Sequence, residues 1–102
     1  MRVKWTEHAL AQRKQVADYI SRQFGAKRKR DFLQEVRKTT KQLKISPYIG
    51  QIDPLFESHA ATYRSVIING LNKMVYRIDG DIIHIVAFWD TRREPKNQAR
   101  QT

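Results

Sequence analysis

Arg64, Lys73 and Arg77 stand where strand alternation can gather them, and Trp89, Asp90, Thr91, Arg92 and Arg93 follow the most apolar stretch of the chain. Guanidinium forks grip phosphate or carboxylate through paired hydrogen bonds and an ammonium adds a point charge, so the chemistry on offer is that of an oxyanion site. Trp89 supplies an aromatic surface that can stack on a base, anchor a protein partner or fill the edge of the core. Asp90 either joins such a site or pairs locally with an arginine. His84 interrupts the apolar run 82–86 and acts on a substrate only if it faces outward. There is no Gly-rich phosphate loop and no nucleophile elbow, and His8, His59 and His84 lack metal-ligand spacing with carboxylates. Neither metal nor cofactor is expected.

The elements that must position these groups follow from periodicity. RVKW at residues 2–5 alternates charged and apolar side chains and reads as a short strand. Thr6 is suited to cap a helix, with Glu7 near the positive end of its dipole. Ala9, Val16, Ala17, Ile20 and Phe24 recur at helical spacing until Gly25. A second helix is expected from about Ala26 to Lys44, with Phe32, Val36, Thr40 and Leu43 along one stripe, stopped by Ser46-Pro47. YIGQIDPLFES reads as a loop that lays apolar residues on the fold. TYRSVIIN, KMVYRI and DIIHIVAFW then read as three strands joined through Asn69-Gly70 and Asp79-Gly80. The expected fold is α+β in the order β-α-α-β-β-β, a helical hairpin covering one face of a small antiparallel sheet. The domain is expected to span 1–93, followed by a polar, mobile tail over 94–102.

Register decides which charges meet. If Asn69 and Gly70 are the only turn residues, Ile68 faces Leu71, Arg64 faces Val75, Val66 faces Lys73 and Thr62 faces Arg77. Arg64, Lys73 and Arg77 then share an open face, while Tyr63, Ser65 and Ile67 join Met74 and Tyr76 beneath the helices. The bland alternative is a set of merely solvated surface charges. A two-residue turn at Asp79-Gly80 places His84 outward opposite Val75, beside Arg64, whereas a three-residue loop turns it inward. Both faces of the last strand are apolar, so it should be an interior strand that holds its end rigidly.

Lys and Arg number 20 against 10 Asp and Glu, a net charge of +10 that attracts polyanions, whether nucleic acid, an acidic protein segment or an anionic membrane. Cysteine is absent, which rules out disulfides and thiolate metal sites. The N-terminus lacks the apolar stretch of a signal peptide and no segment approaches the ~18 apolar residues of a membrane span, so a cytoplasmic location without a membrane partner is expected.

Taken together, VKWTEHAL, the two-helix segment, YRSVIINGLNKMVYRI and IIHIVAFWDTRREP resemble toxins of the RelE/ParE superfamily of type II toxin-antitoxin systems. The resemblance implies a cognate antitoxin as partner. It implies one of two targets: messenger RNA in the ribosomal A site for RelE-like members, DNA gyrase for ParE-like members, which are not known to be nucleases. In the cutting branch, basic residues stabilise the charge that develops as a 2′-hydroxyl attacks phosphate. By motif position Arg64, Lys73 and one of Arg92 and Arg93 resemble that catalytic set, with His84 a further candidate; Arg77, Trp89, Asp90 and Thr91 are candidates for contact with target or antitoxin. Val66 stands where some nucleases carry a second lysine, and EPKNQARQT lacks the Tyr or His that cutting members commonly place near the end. The RRxP-like ending is closer to the ParE side. A non-toxic basic RNA-binding module is the remaining class.

Overall fold

A computed structural model describes residues 1–92. The elements are β1 (Arg2–Trp5), α1 (Glu7–Phe24), α2 (Ala26–Ile45), β2 (Gln51–Ile52), a 3₁₀ turn (Pro54–Phe56), β3 (Arg64–Ile68), β4 (Asn72–Asp79) and β5 (Ile82–Asp90). The five strands form one sheet in the order β1-β5-β4-β3-β2. The α+β class and the helical hairpin are as expected. The sheet is mixed rather than wholly antiparallel, because β1 lies parallel to β5 while every other pair is antiparallel. The loop after α2 also contributes the short edge strand β2.

Local chemistry sets the helix ends. Thr6 Oγ1 accepts the Ala9 N–H at 3.1 Å, closing the first turn of α1. Gly25, at φ 92°, ends α1 and begins α2, a backbone conformation that costs a side-chain-bearing residue dearly. Ala9, Ala17, Phe32, Val36 and Leu43 are buried against Met74, Tyr76, Ile83, Ile85 and Phe88, and Phe32 meets Phe88 edge-on at 5.8 Å. Beyond Trp5, β5 has no strand beside it on that side among the described residues. The Phe88 N–H there is taken by Gln12 Oε1 at 2.8 Å, so a buried amide from α1 finishes the edge that β1 leaves open.

The β3–β4 register departs from the sequence expectation by one residue. Asn69 (φ 56°) and Gly70 (φ 69°) do take the left-handed positions, and Leu71 N–H donates to Ile68 O at 3.2 Å. The Leu71 carbonyl, however, accepts the Thr91 N–H at 2.9 Å, and its side chain joins Ile20, Phe24 and Phe32 around a hollow under the helical hairpin. Leu71 is thereby lost to the ladder, and Ile68 pairs with Asn72, Val66 with Met74 and Arg64 with Tyr76. A slip of one residue turns a whole strand over. Arg64 therefore shares its face with Met74 and Tyr76, while Ser65 and Ile67 lie with Lys73 and Val75, the reverse of the expectation for β3.

The β4 face assignment stands: Met74 and Tyr76 lie under the helices, Lys73, Val75 and Arg77 on the other side. In β5 an extra residue, Val86, bulges between the Tyr76–Ile85 and Val75–Ala87 pairs. Val86, Ala87 and Trp89 then all face a second small core, closed by Phe56 and Tyr63 with Leu55 packed against it. This explains why both sides of β5 are apolar. It also means that part of the outer face is covered by the chain's own segment 53–63.

Candidate functional site

Arg64 emerges on the helix-facing side at the start of β3. Its Nη1 donates to Gly50 O at 2.9 Å and its guanidinium stacks 5.1 Å from the centre of the Tyr48 ring. Beside it the Tyr76 hydroxyl donates to Pro47 O at 2.7 Å and accepts the Gly50 N–H at 3.0 Å. Burial pushes the Tyr76 phenol above its ordinary value, with the Gly50 N–H and Arg64 pulling the other way. Since the folded chain holds this proton more tightly, the contribution is present below about pH 10, the ordinary phenol value, and fades as the pH rises toward the raised one. Arg64 thus helps to fasten the 47–50 turn to the sheet.

Lys73 lies on the opposite face. Its Nζ sits 3.0 Å from Asp53 Oδ2, with the side chains 18% and 1% exposed, and 5.7 Å from the centre of the Trp89 ring. Asp53 Oδ1 accepts the Leu55 N–H at 3.0 Å and so starts the 3₁₀ turn that carries Phe56 onto Trp89. The ammonium therefore holds down the 53–63 cover. Trp89, at 1% exposure, is a wall of the second core and presents no surface to a target or antitoxin, which corrects that expectation.

The end of β5 folds back on itself. Asp90 Oδ1 accepts the Arg92 backbone N–H at 2.8 Å, and Arg92 grips the same carboxylate through Nη2 at 2.6 Å and Nε at 3.1 and 3.2 Å. The hydrogen bonds that Arg92 donates to Asp90 raise its already high pKa further. Asp90 thus pairs locally, the second of the two readings open to it. Thr91 is exposed, with its N–H engaged by Leu71 O. Arg93 and the tail 94–102 lie outside the described residues.

Arg77 and His84 do meet. The turn between β4 and β5 uses Gly80 and Asp81, so His84 pairs with Arg77 rather than Val75 and is remote in register from Arg64. It faces away from the helices, as the two-residue-turn expectation requires, with its side chain 22% exposed and Nε2 3.8 Å from Asp79 Oδ2. Lys4, absent from the expected site, pairs with His84 from the other side. The alternation of RVKW put Arg2 and Lys4 on one face; no local signal said that β1 would lie beside β5.

Of the RelE-like basic set, the three members among the described residues do not meet. Arg64 is engaged on one face, Lys73 is paired on the other, and Arg92 is paired at the strand end. Missed altogether were Asp53, twenty residues from its lysine, and Gly50, which fits only without a side chain. A Cβ there would lie 2.6 Å from Tyr76 Oη and 2.9 Å from Ser65 O.

Among the described residues no helix is long and apolar enough to cross a membrane. No curated protein matches the chain by sequence. Among the solved structures that share its fold are two from toxin systems. A chain of the chromosomal ParDE toxin-antitoxin system from P. aeruginosa has a TM-score of 0.71 and 20% identity, over 88% of this chain and 95% of that one. A YoeB/ParE toxin from Agrobacterium tumefaciens has a TM-score of 0.60 and 18% identity, over 88% and 98%. Residues 3–95 match the family described as "ParE toxin of type II toxin-antitoxin system, parDE". With that match over nearly the whole chain and the helical hairpin on its sheet, the chain belongs to the ParE toxin family of type II toxin-antitoxin systems.

Proposed function

We propose that this ParE-family chain arrests growth in the cytoplasm by acting on DNA gyrase, and that a cognate antitoxin neutralises it. The observation that carries the gyrase reading over ribosome-dependent cleavage of messenger RNA is the dispersal of the cationic set. Stabilising a pentacovalent phosphate needs positive groups fixed around one point. Here Arg64 and Lys73 point to opposite sides of the sheet, and Arg64, Lys73 and Arg92 each have a partner. A general base is also missing from the group, and its absence removes a factor of about 10² to 10⁴ in proton transfer.

The antitoxin is expected at the β2 edge. There β2 covers only Arg64 and Ser65, leaving the side of Val66 to Ile68 that faces away from β4 without a strand among the described residues. Tyr48, Ile49, Ile52 and Ile67 are exposed around this edge, and Ile49, Ile52 and Ile67 line a groove of about 550 Å³. The net charge of +10 selects an acidic amphipathic segment as occupant. Ile52→Asp combined with Ile67→Asp should abolish co-purification of the antitoxin while growth arrest persists.

Pulse-labelling of DNA, RNA and protein synthesis after tightly controlled expression separates the targets. Early loss of DNA synthesis with a DNA-damage response supports gyrase. A stop in translation within minutes, with cuts in ribosome-bound message, overturns it. Unimpaired growth without a recoverable antitoxin leaves a basic RNA-binding module instead.

A further inference from the structure

Lys4, His84 and Arg77 occupy one cross-strand row over β1, β5 and β4, because His84 pairs with Lys4 on one side and with Arg77 on the other. Their sequence neighbours fix the direction in which they point. Val3, Trp5, Ile83, Ile85, Tyr76 and Ile78 all pack into the core beneath the helices, so the three residues between them face outward on the other side. The row lies just past Val75 and Val86, where the cover formed by residues 53–63 ends. Two steps between neighbouring strands make it about 10 Å long.

Among the described residues neither Lys4 nor Arg77 makes an ion pair, and the acid nearest His84 is the well-exposed Asp79. Arg77 is half-buried. Lys4 and Arg77 carry like charges on either side of His84, and an anion bound across the row would be drawn to both. Arg2, two residues before Lys4 on the same strand face, extends the positive field. Arg64, Lys73 and Arg92 are each engaged, whereas the Lys4 and Arg77 charges at the two ends of this row have no ion pair among the described residues.

We propose that Lys4, His84 and Arg77 form a phosphate-binding row that holds the backbone of duplex DNA without reading its sequence. The surroundings favour DNA over an acidic protein. The exposed aromatic and large apolar side chains that a protein partner would need as anchors lie elsewhere, many of them at the β2 edge, and only half-buried Ile82 borders the row. A duplex instead presents one negative charge per ~1.7 Å of axis, which cations at both ends of the row can meet without any apolar contact. The inference does not depend on which cellular target the toxin takes.

The test is fluorescence anisotropy of a labelled 20-base-pair duplex (about two helical turns) with the purified full chain at several salt concentrations. Lys4→Ala and Arg77→Gln should each weaken binding about fivefold to tenfold near 0.1 M salt and lower the slope of log K against log salt by about 1. The double variant should lower the slope by about 2. Lys38→Ala with Lys41→Ala, exposed on α2, should leave the slope unchanged. Arg77→Gln keeps much of the aliphatic stem, and an unchanged far-UV circular dichroism spectrum confirms that the variant is folded. Unaltered slopes in the row variants, or equal losses in the α2 variant, overturn the proposal. So does polyglutamate binding more tightly than the duplex with the same dependence on Lys4 and Arg77, since the row would then serve an acidic protein.

Discussion

Replacing Lys73 by alanine is expected to lower the stability of the fold by about 2 to 3 kcal/mol, far more than the ~0.5 kcal/mol typical of a surface lysine. The reason is Asp53, whose side chain is 1% exposed and whose carboxylate has Lys73 Nζ at 3.0 Å. Without the ammonium a nearly buried charge loses its counterion while still fastened to the Leu55 N–H. The 18% exposure of Lys73 lets water relieve part of the loss, which places the cost below the 3 to 5 kcal/mol range of a fully buried pair. In urea the midpoint should fall by about 1 to 2 M. The Asp53→Ala single variant should also be costly. The double variant should be less destabilised than the two single costs added together, by about 1 kcal/mol or more. Reduced growth arrest by Lys73→Ala would then reflect loss of the 53–63 cover. A Lys73→Ala protein as stable as its parent contradicts the pairing.

Gly50→Ala is expected to cost about 3 kcal/mol, from overpacking together with the loss of buried hydrogen bonds. The added Cβ would meet Tyr76 Oη at 2.6 Å, Tyr76 Cε1 at 2.8 Å and Ser65 O at 2.9 Å. The first two belong to a ring locked between Pro47 O and the Gly50 N–H, and the third is backbone of β3, so nothing nearby yields cheaply. Moving the turn also draws Gly50 O away from Arg64. Thermal denaturation should show a midpoint lower by roughly 10 to 20 °C. Adding Tyr76→Phe removes the closest atom of the clash. The double variant should therefore be less destabilised than the sum of the two singles, by at least about 0.5 kcal/mol. Strict additivity would mean that the turn does not seat on Tyr76.

Much of this fold was legible because its signals are local. Thr6 caps α1, Gly25 divides the two helices, and alternation along KMVYRI separates Met74 and Tyr76 from Lys73, Val75 and Arg77 correctly. The Asn69-Gly70 turn was also legible, yet the fate of the next residue was not. Leu71 leaves the ladder because its carbonyl serves Thr91 and its side chain serves the helical hairpin, both long-range demands on a short-range motif. That single residue moved Arg64 to the other face. The Val86 bulge did leave a trace, since the alternation fails through Val86, Ala87, Phe88 and Trp89, and the same run explains why Trp89 is core. Asp53 and Lys73 carried no such trace, being joined only when the loop closes over the sheet. The apolar strand thus ends in Trp-Asp-Thr-Arg for structural reasons: a core wall, a carboxylate that receives an arginine, and a backbone amide that ties off the preceding turn.

The dispersal of Arg64, Lys73 and Arg92 underlies the functional reading, and purified components test it most directly. Incubation of the chain with DNA gyrase, ATP and supercoiled plasmid should accumulate linear DNA covalently attached to the enzyme, while programmed ribosomes treated in parallel should keep their message intact. Message cut in the ribosomal A site, with no trapped gyrase–DNA complex, would show that the separated cations do assemble for phosphoryl transfer and would contradict the account.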